Sequence, residues 1–222
     1  MTRRLIVSSV ITSSIMALLI QLPAGRWDWR AGWEMWAANA VITAIGGIWL
    51  SFSNPELLKR RARVGEGTPD WDRWQVLALI FSMVLLYILG GLDKGRSNSG
   101  PGPALWWAGL LTLNGGFLLL LWSMLVNTHF ESTVRLQIDR GHRVVDRGPY
   151  AWIRHPGYSG GLTYFLGMCM MMGSAWSLFG WATAVCILAA RLLLEEDFLT
   201  RSLEGYAEYR ARVSYRLLPG IW

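Results

Sequence analysis

Along this chain apolar residues come in long, nearly unbroken runs. They form neither the 3.6-residue stripes of a soluble helix nor the alternation of a half-buried strand. Runs at 5–22, 31–52, 76–92 and 104–126 each approach or exceed the roughly 18 residues that let a helix cross a bilayer. The first follows Arg3 and Arg4 and lacks a small-residue cleavage site, so it reads as an anchor, not a signal peptide. A fifth stretch, 160–194, is too long for one span. Gly173-Ser174 near its middle, followed by Ala175-Trp176-Ser177, predicts a helical hairpin whose first arm needs tilt or neighbours to cross. The expectation is an all-α, polytopic integral membrane protein of about five to six transmembrane helices. It forms one domain, 1–222, with N-terminal transmembrane helices over 1–126.

Composition sharpens this. Of 222 residues 53% are hydrophobic and only 16% charged, against about 25% charged in an average soluble domain. Fourteen Trp fit rings that favour the membrane–water boundary. The net charge of +6 therefore does not argue for nucleic acid. Cys169 and Cys186 lie in apolar runs and the His are His129, His142 and His155, so neither a disulfide framework nor a metal site is expected. With the N-terminus inside, all but Arg26, Arg30, Lys94 and Arg96 of the 21 Lys and Arg fall on inner segments, as the positive-inside rule expects. Both termini are predicted cytoplasmic.

The outer loops, such as 98–103, are short and rich in Gly, Pro and Ser. The inner ones are busier. Residues 54–63 read as an interfacial helix opened by Asn54-Pro55-Glu56, its basic run meeting lipid headgroups. Residues 127–158 hold Gly141-His142-Arg143-Val144-Val145-Asp146-Arg147-Gly148-Pro149-Tyr150 and then Arg154-His155-Pro156-Gly157-Tyr158. The glycines and Pro149 break helices, whereas Pro156 can start one, which would point free N–H groups at the inner boundary. Further on, Arg191 precedes Glu195-Glu196-Asp197 by one helical turn, so Arg191 and Glu195 share a face. Arg and His donors, backbone N–H groups, paired carboxylates and aromatic rings suit an amphoteric, adenosine-like ligand with a cationic centre, such as S-adenosylmethionine. Neither a P-loop nor a GxGxxG turn is present in its strand–turn–helix context.

Residues 141–158 resemble the signature of the isoprenylcysteine carboxyl methyltransferase family, integral-membrane enzymes related to phospholipid methyltransferases. The resemblance continues through Glu195-Glu196-Asp197-Phe198-Leu199, Gly205-Tyr206-Ala207-Glu208-Tyr209 and Arg216-Leu217-Leu218-Pro219. It implies a cofactor-binding catalytic half, 127–222, that takes S-adenosylmethionine from the cytosol and transfers methyl to a lipophilic acceptor, most simply an isoprenylcysteine carboxylate. By similarity His142, Val144, Val145, Gly148, Tyr150, His155, Pro156, Tyr158, Glu195 and Glu196 bind the cofactor, while Arg154 and Arg191 lie near the reacting end as catalytic residues. Implied partners are a lipidated or lipophilic substrate and membrane lipids, with no nucleic acid and no metal.

Other readings stand beside these. An alternative acceptor is a phospholipid amine or a small thiol, either of which would want a base. The non-enzymatic rival is a membrane scaffold or transporter subunit, disfavoured by spans poor in charge. Tyr206 and Tyr209, three apart, read as packing residues, as does the Met168, Met170, Met171, Met172 run. Asn127 and His129 end the fourth span with no assigned role, and Glu34 is expected to reach water.

Overall fold

A computed structural model describes residues 2–61, 67–137 and 141–222. It is all-helical: α1 (Thr2–Ala24), α2 (Arg30–Ser53), α3 (Pro55–Arg61), α4 (Asp70–Gly90, prolonged by a π-helical turn Gly91–Gly95), α5 (Pro103–Val126), α6 (Pro156–Met172), α7 (Ser177–Ser202) and α8 (Tyr206–Arg212). Four helical stretches are long and apolar enough to cross a membrane, at Arg30–Ser53, Asp70–Gly95, Pro103–Val126 and Ser177–Ser202; within α1, Ser9–Ala24 is apolar but shorter. Large apolar side chains such as Val41, Ile45, Phe81, Leu111 and Phe179 face outward. Such a surface would drive aggregation in water and suits lipid.

Lipid offers little hydrophobic drive for helix to meet helix, so close backbone approach must supply the contact. On α5 and α6 it does so through facing glycines. A Cβ at Gly116 would stand 2.3 Å from the Tyr164 amide nitrogen, and one at Gly167 would stand 2.4 Å from that of Leu113. Helices α4 and α7 pair the same way, Gly180 lying against the Leu86 backbone. Between these pairs and α1–α2 sits a core of Met16, Ile20, Trp29, Met35, Leu86, Leu113, Met168, Met171 and Met172. The methionine run is thus core packing, not the rim of a lipid groove.

The expected hairpin is present. Gly173, at φ 67°, ends α6 in the left-handed conformation that glycine tolerates, and α7 begins at Ser177. The interfacial helix spans Pro55–Arg61, with Asn54 Oδ1 accepting the Leu57 N–H at 3.1 Å as an N-cap; positions 62 and 63 of its expected range lie outside the described residues. One end of the bundle is closed by the short connections 25–29, 96–102 and 173–176. The other gathers α3, α8, the segments 127–137 and 141–155, and the C-terminal tail.

Candidate active site

At that second end lies a cavity of about 390 Å³, within the range usual for small-molecule sites. Helix α7 contributes Leu188, Arg191, Glu195 and Leu199. Helix α6 contributes Tyr158, Gly161 and Phe165, and α4 contributes Val76, Leu79, Ile80 and Met83. The polar part is walled by Asn127, His129, His142, Val144, Val145, Tyr150, Tyr206 and Tyr209. Of the twelve residues named from sequence, nine line this one space: His142, Val144, Val145, Tyr150, Arg154, His155, Tyr158, Arg191 and Glu195.

The other three are placed behind it. Gly148 takes φ 59° and opens the 3₁₀ turn Gly148–Ala151, which sets Tyr150 into the wall. Pro156 is the first residue of α6. Glu196 is 2% exposed and turned from the cavity into a cluster of cations. Its Oε1 accepts from Arg154 Nε at 2.5 Å and lies 3.3 Å from His155 Nε2, while Oε2 accepts from Arg216 Nε at 2.9 Å. Buried charge is tolerable only when matched in this way.

Arg154 is further occupied, its Nη1 donating to the Val213 and Ser214 carbonyls at 2.6 and 2.9 Å. The Arg154 and His155 amides donate to the carbonyls of Tyr215 and Arg216, and Ser159 Oγ to that of Leu217. The Arg-His-Pro corner is therefore clasped by the C-terminal tail. Glu195, one residue before Glu196, faces the cavity and accepts a short hydrogen bond from the Tyr158 hydroxyl.

Arg191 does not pair with Glu195, despite their shared face. Its Nε donates to Asp72 Oδ1 at 2.8 Å and its Nη2 to the Ser132 carbonyl at 3.0 Å, while its guanidinium sits 5.6 Å from the Tyr158 ring centre. Asp72 is fully buried and also accepts the Val134 N–H at 2.8 Å. It fixes Arg191 and the 132–134 backbone together.

The imidazoles of His129 and His142 lie with ring centres 4.5 Å apart. Burial, then the neighbouring His129 and Arg135, drops the His142 pKa to about 4. It is neutral at pH 7, and its Nδ1 accepts the Gln137 N–H, so Nε2 carries the proton. Asn127 joins the wall by donating to the Tyr150 hydroxyl at 3.3 Å. The Tyr206 hydroxyl is buried in the wall with no hydrogen-bond partner among the described residues. Burial and the nearby carboxylates Glu195 and Glu196 push its pKa up, keeping it a donor. Such an orphan costs free energy until something meets it.

Sequence reasoning passed over Asp72, Arg61, Arg216 as a partner of Glu196, and Tyr206 as a ligand group. For Asp72 the only signal was an acid in the first turn of α4, where acids are common anyway. For Tyr206 it was a ring in a motif shared with the family.

Residues 105–205 match the model of a family described as phospholipid methyltransferase. Protein-S-isoprenylcysteine O-methyltransferase of Dictyostelium discoideum is 23% identical over 178 residues, 78% of this chain and 71% of that protein. Probable protein-S-isoprenylcysteine O-methyltransferase of Oryza sativa subsp. indica is 28% identical over 86 residues, 38% of this chain and 45% of that one. These matches make the chain similar to membrane methyltransferases, and the relatives named here carry the name isoprenylcysteine O-methyltransferase.

Proposed function

We propose that the chain transfers a methyl group from S-adenosylmethionine to the carboxylate of a lipophilic acceptor of the isoprenylcysteine type, at the cytosolic face of a membrane. The observation that carries this reading is the single cavity whose one end is polar and aromatic and whose other end is apolar along three helices.

The residues present fit the cofactor. Its ammonium and ribose hydroxyls want acceptors, which Glu195 supplies; its carboxylate wants donors, which the His142 Nε2–H and the orphaned Tyr206 hydroxyl supply. Tyr150 and Tyr158 offer faces for the adenine, with His155 stacked behind Tyr158 at 5.5 Å. Gly148, Pro156 and Glu196 serve the same pocket from behind, by holding Tyr150, His155 and Arg154. When bound, S-adenosylmethionine supplies an electrophilic methyl that a carboxylate oxygen takes by in-line displacement, leaving a neutral thioether.

Such an acceptor is already ionised at pH 7, so no side chain has to remove a proton. The protein's part is alignment and a fixed electrostatic field in a site poor in water. Arg191, pinned by Asp72 and stacked on Tyr158, contributes that field between the two ends of the cavity. Arg154, with its donors committed to Glu196 and the tail, acts by holding the corner from which His155 and Tyr158 project.

The test is transfer of labelled methyl from S-adenosylmethionine by the purified protein in lipid nanodiscs, offered N-acetyl-S-farnesylcysteine or phosphatidylethanolamine, with calorimetric binding of S-adenosylhomocysteine. Binding of the nucleoside and labelling of the farnesylcysteine are expected. Absent binding by folded protein overturns the enzyme reading. Labelling of the phospholipid alone overturns the choice of acceptor.

A further inference from the structure

Five guanidinium groups line the cavity; Arg135 is paired with Glu131 at 2.7 Å and Arg143 is exposed, and the other three differ in what they have left to give. Arg154 is committed to Glu196 and two tail carbonyls, and Arg191 to Asp72 and the Ser132 carbonyl. Arg61, the last residue of α3, is held far more loosely. Its Nη1 donates to the Phe130 carbonyl over a long 3.4 Å, and its guanidinium carbon lies 5.1 Å from the Phe130 ring centre. Among the described residues it has no carboxylate partner. Yet it is half-buried in the cavity wall, where burial and the nearby Arg191 both work against its charge. A half-buried cation held by one weak hydrogen bond and a ring face is a costly arrangement. An anion delivered from outside the chain relieves it.

What could deliver one is written on the next helix. Val76, Leu79, Ile80 and Met83 follow one another at the i, i+3, i+4, i+7 spacing of a single helix face, and all four line the cavity. Ile80 is 55% exposed, so this face opens sideways to the lipid. Across the space stand Phe165 and Leu188. An apolar chain can enter there from the bilayer and lie along α4 with its head among the guanidinium groups.

We propose that Arg61 receives the carboxylate of the acceptor, and that the α4 face Val76–Leu79–Ile80–Met83 receives its hydrocarbon chain. This rests on the reading of the cavity as a methyltransferase site and adds a binding residue that the interfacial basic run gave no reason to single out. Lys59 and Glu56, paired at 2.6 Å on the exposed side of the same helix, have no part in it. A guanidinium fork matches a carboxylate in two parallel hydrogen bonds, which an ammonium cannot reproduce.

The experiment compares N-acetyl-S-farnesylcysteine with its uncharged amide, by direct binding to the wild type, Arg61→Gln, Arg61→Lys and Lys59→Gln in nanodiscs. It also measures KM for the acid and the Kd of S-adenosylhomocysteine. The wild type should prefer acid over amide by about tenfold or more, the worth of one charge-assisted contact. Arg61→Gln should erase that preference and raise KM about ten- to hundredfold, leaving the nucleoside affinity within about twofold. Arg61→Lys should recover part of the preference, and Lys59→Gln all of it. A preserved acid preference in Arg61→Gln overturns the assignment while leaving the methyltransferase reading intact, provided the wild type methylates the acid. Equal loss of nucleoside affinity also overturns it and places Arg61 with the cofactor. Should Arg61→Gln not fold, the acid-to-amide ratio of Arg61→Lys decides, a wild-type ratio overturning the assignment. If the wild type shows no acid preference, the proposal falls outright; if it also transfers no methyl to the acid, the acceptor reading falls with it.

Discussion

At the end of the bundle away from the cavity, the ion pairs are local and exposed, Arg26 with Asp28 and Arg30 with Glu34. Trp29 Nε1 donates to the Ser99 carbonyl at 2.7 Å, and Asp93 accepts from Ser174 Oγ at 2.8 Å and from the Trp176 N–H, capping α7. Gly173 lies so close to Pro101 that a Cβ would meet its backbone nitrogen at 2.8 Å. At the cavity end, ion pairs join residues far apart in the chain: Arg154 with Glu196 and Arg191 with Asp72, both nearly fully buried. The first end is held by contact between backbones. The second is held by charge, and its charges only balance when several segments arrive together. Such a set of buried charges has no counterpart among the described residues of the other end.

Removing one carboxylate from each end should expose the difference. Glu196→Ala leaves Arg154, His155 and Arg216 facing one another, and breaking a buried pair of this kind costs about 3–5 kcal/mol. Asp93→Ala removes a cap, worth about 0.5–2 kcal/mol. Thermal unfolding in one detergent should rank them in that order, and equal losses would erase the contrast between the ends.

Within the cavity end, the neighbours Glu195 and Glu196 should separate. Glu195→Gln keeps shape and removes a charge turned to the cavity. It should weaken S-adenosylhomocysteine binding about ten- to hundredfold with a stability change under about 1 kcal/mol. A calorimetric titration beside a melting curve checks this; destabilisation rivalling that of Glu196→Ala would show that both carboxylates are structural.

The cavity end, where all three histidines lie, should also carry a pH dependence that grows only as the medium turns acidic. The His142 pKa is about 4 in the folded chain against 6.5 ordinarily. Between those values the unfolded chain takes up a proton that the folded one refuses, so stability is full above about pH 6.5 and declines as pH falls toward 4. Denaturant midpoints of the ligand-free protein should fall across that window, and His142→Gln should flatten the slope while Asp93→Ala leaves it unchanged. A slope unaltered in His142→Gln would assign it elsewhere.

Much of this architecture is legible in the sequence because lipid imposes a simple rule: apolar runs of sufficient length become helices. The hairpin turn at Gly173 and the helix start at Pro156 follow from glycine and proline alone. The convergence of His142, Tyr150, His155, Tyr158 and Glu195 on one cavity was legible only through the family resemblance. Consecutive residues on a helix point about 100° apart, so Glu195 and Glu196 must face differently. Which of them meets the cavity depends on how α7 lies against α4, through Gly180 and Leu86. Asp72 and Arg191 stand 119 positions apart, and no local pattern ties them. Arg61 read as one of several basic residues for headgroups, since only the position of Phe130 tells it from Lys59.

The tail that clasps the Arg-His-Pro corner has a consequence in time. Residues 213–217 supply the carbonyls that hold Arg154, His155 and Ser159, and Arg216 completes the shell around Glu196. A ribosome makes these residues after every helix of the bundle. The spans can enter the membrane and find their glycine contacts beforehand, but the Arg154 guanidinium has no full set of partners until the tail has emerged and folded back. Insertion and completion of the cavity end are therefore separable, and a nascent chain halted before residue 213 would be a helical bundle whose cavity lacks its clasp.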